Sequence, residues 1–348
     1  MQALDNILNY ARERGYSDVH LGGLTNIMVR NNGILIPYEH NYTSEDIVIM
    51  IESMLDENQL TDLKNGHDID LVYVEGENRY RVNVYKERGH LCAALRVIYE
   101  RIRSLNELGL PPVLQKLTQD PRGLVLLTGP TGSGKSTTLA AMINEINNNR
   151  KCHILTIEDP IEYVYKQNLA LIHQREINFD VDSFDTALRS AMREDPDVIL
   201  VGEMRDYETI QAVMTLAETG HLVFSTLHTI GAAKTIDRII DVFPPHKQDQ
   251  IRTQLSGVLN AVVTQQLIPT IDGKSRVAAL EIMMATSAIE NLIRENKGHQ
   301  INSVIQTGST LGMQSLNMSL TGLVRQGRIS KEYALQYSDN PSELKTMI

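Results

Sequence analysis

The spacing of apolar residues predicts a small α+β domain over residues 1–99. Helical periodicity covers residues 4–14 and 44–55, with Thr43 or Ser44 as the N-cap of the second helix. Alternating apolar and polar residues, bounded by turn residues, predict the strands. The predicted strands are residues 17–21, two strands within 26–38 about the Asn32-Gly33 turn, a hairpin through Gly76, and residues 91–98.

Beyond a linker at residues 100–112, the pattern changes to buried strands that alternate with helices. The predicted elements are residues 123–128, 138–147, 153–157, 183–193, 198–201, 207–218 and 222–226. This alternation predicts an α/β domain with a largely parallel sheet and right-handed crossovers. After Pro244-Pro245 the chain is predicted to be mostly helical, with one strand at residues 277–284. We therefore expect a core at residues 113–270 and a mainly helical C-terminal region at 271–348.

Composition and charge narrow the class of protein. The 348 residues are 42% hydrophobic and 22% charged, and no apolar run reaches the roughly 20 residues that span a bilayer. The formal net charge of −10, without an evident basic stripe, disfavours a nucleic-acid motor. Cys92 and Cys152 are too few and too far apart for a metal-ligand set. The N-terminus lacks the pattern of a signal peptide, so a cytosolic location is expected.

The strongest candidate chemistry lies in RGLVLLTGPTGSGKSTT, residues 122–138. A short apolar strand, a loop that fits G-x-x-x-x-G-K-[ST] and a helical pattern follow one another, which is the context of a phosphate-binding loop. Lys135 is placed to reach the β- and γ-phosphates, and Ser136 to hold Mg²⁺. A nucleotide with Mg²⁺ is therefore the expected ligand, and the alternative is a glycine-rich turn before an ordinary helix. The predicted nucleotide-binding residues are Gly129, Pro130, Thr131, Gly132, Ser133, Gly134, Lys135, Ser136 and Thr137.

Two acidic residues stand at the ends of predicted strands, Glu158 in ILTIEDPIEY and Glu203 in DPDVILVGEMRD. Ligands of open α/β sheets bind beyond the carboxyl ends of the strands, so both acids are expected near phosphate and Mg²⁺. Glu203 is predicted to polarise the attacking water. Glu158 is predicted to assist it, and either acid could bind the metal through water. The alternative is a solvated loop carboxylate at each position.

Two histidines flank a third strand, in GHLVFSTLHT. His228 follows the carboxyl end of that strand and is predicted to sense the γ-phosphate. His221 precedes the strand and is predicted to be structural or to lie between subunits. A structural role is the alternative for His228 as well.

Arginines recur in the strands of the first domain, at Arg79, Arg81, Arg88 and Arg96. One of them could act in trans on the transition state of a ring-shaped ATPase, because a guanidinium suits phosphate geometry. The alternative is a solvated sheet face.

The boxes GPTGSGKST, TIEDPIEY, REDPDVILVGEMRD and TGHLVFSTLHT occur in this order, and together they resemble the type II and type IV secretion and pilus ATPases. SDVHL and RYRVNVY resemble the N-terminal PAS-like domain of that family. VVTQQLIP and HQINSVIQTGSTLGMQSLNMSL resemble the C-terminal region of its PilT branch, the twitching-motility ATPases that retract type IV pili.

The resemblance implies a PAS-like domain followed by a RecA-like ATPase domain, and a cytoplasmic homohexamer with nucleotide between the two domains. It implies that Glu158 and Glu203 are the functional carboxylates of the two acidic boxes, TIEDPIEY and REDPDVILVGEMRD, with Glu203 as water activator. It makes Arg81 and Arg96 the better arginine-finger candidates. ATP turnover would drive an inner-membrane platform protein and return pilin to the membrane, so the ring would be associated with that membrane through the pilus machine.

Two further features of the sequence distinguish between the retraction and assembly branches of the family. Assembly-type members carry an N-terminal extension and a four-cysteine zinc site, and this chain has two cysteines and begins directly at the PAS-like domain, which favours retraction. The stretch SAIENLIREN resembles the AIRNLI motif of the retraction branch, with Glu290 in place of arginine. The predicted partner contact is Ile289, Glu290, Asn291, Leu292 and Ile293. The charge reversal at Glu290 fits a divergent retraction motor, an accessory homologue or a neutral surface change.

Three other functions stay open at this point. A motor for pilus assembly, competence or another secretion system belongs to the same superfamily. A RecA-like nucleic-acid translocase shares the phosphate-binding loop but should show steep salt dependence. A regulatory subunit that binds nucleotide without hydrolysis would not need Glu158, Glu203 or His228.

Overall fold

A computed structural model divides the chain into two compact units, Met1–Arg101 and Ile102–Ile348. It describes residues 2–22, 26–31, 33–76, 78–98 and 101–348. The predicted turn residue Asn32 lies outside the described residues, whereas the strands on either side of it are present. In the described part of the chain, no helix is both long and apolar enough to cross a bilayer.

The first unit is an antiparallel sheet with helices, as the alternating pattern predicted. Its six described strands follow the order β3-β2-β1-β6-β5-β4. The predicted second helix is shorter than expected and begins after a capping box between Thr43 and Asp46. The elements are α1 (Gln2–Glu13), β1 (Asp18–Gly22), β2 (Met28–Asn31), β3 (Ile34–Pro37), α2 (Ser44–Glu52), α3 (Glu57–Lys64), β4 (Ile69–Glu75), β5 (Asn78–Glu87) and β6 (His90–Ile98).

The second unit contains a seven-stranded sheet in the order β13-β12-β7-β11-β10-β8-β9, counted over the described residues. Its first elements are α4 (Val113–Leu117), β7 (Gly123–Thr128), α5 (Lys135–Asn149), β8 (His153–Glu158), β9 (Leu171–Glu176), α6 (Phe184–Ala191), β10 (Val198–Val201), α7 (Tyr207–Glu218) and β11 (Leu222–Leu227). The six strands from β12 to β9 run parallel. The predicted parallel α/β sheet is therefore confirmed.

Two apolar cores cover the two faces of this sheet. Alternate residues of β7 face opposite sides, so Leu124 and Leu126 join one core while Val125 and Leu127 join the other. The first core includes α6 and α7, and the second includes α4 and α5. Because both faces are covered, every residue of β7, β10 and β11 is buried.

The region after Pro244-Pro245 differs from the prediction. It contains two strands, because the segment predicted as helix before residue 277 is β12, which pairs with β13 from Ala261 to Pro269. The sheet therefore extends past residue 270, where the sequence pattern ended the core. The elements are α8 (Ala232–Asp241), α9 (Pro245–Val258), β12 (Leu259–Pro269), β13 (Arg276–Met284), α10 (Ser287–Arg294), α11 (Ile301–Thr307), α12 (Leu316–Arg325), α13 (Lys331–Tyr337) and α14 (Pro341–Met347).

Candidate active site

Four neighbouring parallel strands bring the predicted site residues to one edge of the second sheet. Strands β7, β11, β10 and β8 are adjacent in that order, and their carboxyl ends point the same way. Gly129 follows β7, His228 follows β11, Glu203 follows β10 by two residues, and Glu158 ends β8. The topology therefore brings the phosphate-binding loop, both acidic boxes and the histidine box to the carboxyl ends of the strands. This is the place where open α/β sheets bind their ligands.

The phosphate-binding loop spans the gap between β7 and α5. Gly129, Gly132 and Gly134 have φ of 137°, 78° and 86°, a region that side chains with a Cβ rarely adopt. A Cβ on Gly129 would lie 2.3 Å from the carbonyl oxygen of Gln265, so only glycine fits there. Gly134 is the N-cap of α5, whose free N–H groups face the loop. Backbone and helix end together form an anion-binding cradle.

Lys135 is held at this cradle by the loop itself. Its Nζ donates hydrogen bonds to the carbonyl oxygens of Gly129, at 2.8 Å, and of Pro130, at 3.1 Å. Burial lowers the pKa of Lys135, and the nearby carboxylates of Glu162 and Glu203 oppose that shift. The ammonium group therefore lies between the loop carbonyls and the acidic edge of the site.

The other predicted loop residues differ in exposure. Ser133 is buried and Ser136 is half-buried in the first turn of α5, whereas Pro130, Thr131 and Gly132 are exposed. The Thr137 hydroxyl lies 2.8 Å from the Tyr163 hydroxyl. This bond ties the start of α5 to the segment that follows the first acidic box.

Glu203 is the centre of a small charged cluster. Its Oε1 pairs with Arg205, and its Oε2 lies 3.3 Å from Nε2 of His228. The Glu203 side chain is 13% exposed and that of His228 is 52% exposed. The structure therefore brings together the predicted water activator and the predicted γ-phosphate sensor, 25 positions apart in the chain.

Glu158 has a different environment from Glu203. Its carboxyl group is buried and accepts hydrogen bonds from Thr156 Oγ1, at 2.7 Å, and from Gln174 Nε2, at 3.5 Å. Burial raises the pKa of Glu158 to about 7, while these two hydrogen bonds oppose the shift. Such a group exchanges a proton near neutral pH, which suits assistance in proton transfer.

We expect the buried Glu158 to make folding less favourable as the pH rises. Between its ordinary pKa of 4.5 and about 7, the folded protein retains a proton that the unfolded chain has released, so the free energy of unfolding falls with increasing pH. At about 1.4 kcal/mol per pKa unit, the loss approaches about 3 kcal/mol above pH 7. Glu158→Gln cannot titrate and should show a flatter profile. Urea unfolding followed by circular dichroism from pH 5 to 8 measures the difference.

Glu332→Gln is the control for that experiment, because Glu332 is an exposed carboxylate on α13 of the same unit and does not contribute to the shift of Glu158. It should keep the wild-type slope. Parallel profiles for wild type and Glu158→Gln would contradict the raised pKa of Glu158.

His221 lies at the opposite end of β11 from His228. Its Nδ1 is 2.9 Å from the carbonyl oxygen of Leu216 and 3.2 Å from Thr219 Oγ1, so it joins the end of α7 to the start of β11. These contacts agree with the structural role predicted for it.

Arg81 and Arg96 lie in the first unit, as neighbours across β5 and β6. Arg96 Nε donates to Asp18 Oδ1 at 2.9 Å, and Arg30 lies 3.5 Å from the same carboxylate. Arg81 is half-buried, and the side chain of Arg96 is 65% exposed. Their action on a nucleotide stays a prediction.

The predicted partner contact on α10 needs correction at two positions. Ile289 and Ile293 are buried in the core of the second unit, because they lie on the apolar face of this amphipathic helix, which packs against α9 and α11. Leu292 packs partly against the same core. Glu290 is half-buried and Asn291 is exposed, so these two can face outward.

Sequence reasoning missed several residues that shape the site. Arg205 neutralises Glu203, and Gln174 holds the segment after Glu158 through Tyr163 O, at 2.8 Å, and Tyr165 N, at 3.0 Å. Gln265 bonds to the phosphate-binding loop from β12. Polar residues inside a buried strand, as in VVTQQLIP, were the available signal for Gln265.

The described residues also contain a cavity away from this edge, with a volume of about 770 Å³. His153 and His173 line it, and their Nε2 and Nδ1 atoms lie 2.9 Å apart. No group of three or more metal-ligating side chains occurs in the part of the chain that the structure covers.

In a comparison with protein families, residues 1–338 match the family described as "Type II/IV secretion system protein". The match covers both units and all the residues of the site. It includes the phosphate-binding loop, the two acidic boxes and the histidine box.

Similar proteins match over most of the chain. It is 47% identical to a protein of Pseudomonas aeruginosa named "Type IV pilus retractation ATPase PilT", over 97% of this chain and 98% of that protein. It is 51% identical to the "Twitching motility protein" of Neisseria gonorrhoeae, over 87% and 81%. A solved structure described as the pilus retraction motor PilT with bound ADP matches with a TM-score of 0.90, at 44% identity and 98% coverage of both chains.

Proposed function

This chain belongs to the type II/IV secretion system protein family, and we propose that it is an ATPase motor that powers the retraction of type IV pili. The observation that carries the proposal is similarity over nearly the whole length to proteins named for pilus retraction and twitching motility. A site with the residues that ATP hydrolysis needs supports it. Pilus assembly, competence or secretion is not favoured, because the proteins named for retraction and twitching motility share 47% and 51% identity with this chain over most of its length. The type II secretion system protein E of Aeromonas hydrophila matches over 46% of the chain.

The phosphate-binding loop is the proposed site of the ATP phosphates. Backbone N–H groups between Gly129 and Gly134 and the start of α5 bind the β-phosphate oxygens, and Lys135 neutralises the β- and γ-phosphates. The ADP-bound structure of the similar motor supports nucleotide binding at this fold. The exposed loop residues Pro130 and Thr131 leave the cradle open to the ligand.

The residues at the loop fit a magnesium ion that accompanies ATP. The Ser136 hydroxyl, in the first turn of α5, would hold the ion directly, and Glu203 would hold it through water, because Mg²⁺ prefers oxygen ligands and retains bound waters. When bound, Mg²⁺ supplies neutralisation of charge on the phosphates. Glu158 is less suited as a ligand, because its carboxyl group is buried and bonded to Thr156.

Glu203 is the proposed acceptor of the proton from the attacking water. Arg205 and His228 orient its carboxylate from two sides, so its free lone pairs point in fixed directions. His228 is half exposed and lies beside Glu203, where it can contact the γ-phosphate. Glu158, with its raised pKa, stands one strand further along as a second site for a proton.

The assembly of the motor and the partner on which it acts are proposed from the family to which the chain belongs. Six copies would form a cytoplasmic ring, associated with the inner membrane through the pilus machine, and Arg81 and Arg96 would stabilise transition-state charge in a neighbouring copy. The ring would act on an inner-membrane platform protein and only indirectly on the pilin filament. Glu290 and Asn291 are the outward-facing candidates for a partner contact on α10.

A count of surface pili tests the proposal in cells whose single gene copy encodes Lys135→Ala. We expect more pili per cell than in wild type and lost twitching, because assembly continues without retraction. Loss of pili would indicate an assembly motor instead, and an unchanged count with normal twitching would contradict a role in pilus dynamics.

A further inference from the structure

We propose that Gln265 is a positioning residue that clamps the phosphate-binding loop in the shape that binds nucleotide. The inference rests on the proposed ATP binding at this loop. Gln265 lies on β12, on the opposite side of β7 from the strands that carry Glu203 and Glu158. It contacts the loop and helix α5, and acts on nucleotide through them.

Both ends of the Gln265 amide are used. Its Nε2 donates to the carbonyl oxygen of Ser133 at 2.7 Å, and its Oε1 accepts from the Thr138 hydroxyl at 2.8 Å. The side chain is buried, at 2% exposure, so water cannot take over either bond. One amide therefore connects the last turn of the loop to the first turn of α5.

The backbone of β12 contacts the loop as well. The carbonyl oxygen of Gln265 would lie 2.3 Å from a Cβ on Gly129, and its Nε2 would lie 2.8 Å from a Cβ on Gly134. The adjacent Thr264 hydroxyl lies 2.8 Å from that of Thr128, the last residue of β7. Strand β12 thus contacts the loop where it begins and where it ends.

The physical consequence is preorganisation of the loop. Its N–H groups must converge on one phosphate, and fixing them beforehand lowers the entropy cost that binding would otherwise carry. Without the amide, the Ser133 carbonyl and the Thr138 hydroxyl would be left buried and unpaired. The loop would then relax toward other shapes, and nucleotide binding would weaken.

The first test compares Gln265→Ala with Gln266→Ala. Gln266 is the next residue of β12 and half-buried, and the described structure records no hydrogen bond of its side chain. Titration of a fluorescent ADP analogue with Mg²⁺ into the purified full-length protein measures affinity. We expect Gln265→Ala to bind about tenfold more weakly or worse, which is the scale of unpaired buried polar groups, and Gln266→Ala to bind within about twofold of wild type.

Thr138 variants separate positioning from general stability. Thr138→Val removes the hydroxyl at nearly the same volume, and Thr138→Ser restores it. We expect Thr138→Val to weaken binding and Thr138→Ser to bind like wild type. Combined with Gln265→Ala, Thr138→Val should add less than its effect alone, because the clamp is already broken. If Gln265→Ala does not fold, the two Thr138 variants test the clamp by themselves.

The outcomes distinguish this inference from the proposed function. If wild type fails to bind the analogue, the nucleotide site itself is wrong. If wild type binds and folded Gln265→Ala, or Thr138→Val, binds equally well, the clamp is overturned while the ATPase proposal stands. Equal loss in Gln265→Ala and Gln266→Ala would also overturn it, since that indicates a general effect on β12.

Discussion

Replacement of Lys135 by alanine is expected to abolish ATP hydrolysis while leaving the fold intact. The Lys135 ammonium group lies on the carbonyls of Gly129 and Pro130, at the cradle for the phosphates. Alanine removes a preorganised positive charge where negative charge develops, and loss of one such group lowers turnover by at least about 100-fold. Phosphate release by the purified protein with Mg²⁺ and ATP measures the effect.

Lys116→Ala is the control, because Lys116 is an exposed lysine on α4 of the same unit. It should hydrolyse ATP at the wild-type rate. Circular dichroism should give the same helix and strand content for wild type and both variants. Turnover by Lys135→Ala close to wild type would show that the loop does not bind the phosphates as proposed.

Glu203→Gln is expected to bind ATP but to turn it over about 100-fold to 10,000-fold more slowly, the range for loss of a general base. The amide keeps the shape of the side chain and can still accept a hydrogen bond from His228, but it cannot take a proton from water. Its bond to Arg205 loses charge assistance, so the position of the amide is less firmly fixed. Single-turnover hydrolysis together with ATP binding separates the two steps.

Glu208→Gln serves as the matched control for Glu203, since Glu208 is exposed in the first turn of the neighbouring helix α7. We expect it to leave both steps unchanged. If Glu203→Gln retained half or more of the wild-type turnover, the role of water activator would have to move to another residue, with Glu158 as the next candidate.

The strands and loops with strong local patterns could be predicted from the sequence. Strand β10 and helix α7 have the predicted bounds, because an unbroken apolar run and a clear helical period are each local signals. The glycines of the loop were also predictable, because a positive φ at one position is a local requirement that glycine meets. The parallel direction of the central strands follows from the alternation of strands and helices, whereas the order of the strands does not.

Strand β12 was missed for a physical reason. It follows α9 directly, since the helix ends at Val258 and the strand begins at Leu259, and no loop marks the boundary between the two elements. Its inner residues are buried on both sides and include Thr264 and Gln265, which breaks any simple alternation. The partners of these polar residues lie at the end of β7 and on the loop, more than 100 positions away, and only the fold brings them together.

In the candidate site too, the positions of the residues were predictable from the sequence and their environments were not. Glu158, Glu203 and His228 were found because each stands at the end of a strand. The difference between the two acids was not predictable, since it depends on burial beside Gln174 in one case and on Arg205 in the other. Such environments are set by tertiary contacts and not by the spacing of a motif.

The central claim is that ATP turnover by this chain drives retraction, and imaging of fluorescently labelled pili on living cells tests it most directly. Cells whose single copy carries Glu203→Gln should extend pili at the wild-type frequency and show almost no retraction events, while Glu208→Gln cells do both. If Glu203→Gln stopped extension, or left retraction at the wild-type frequency, the assignment of this motor to pilus retraction would be contradicted.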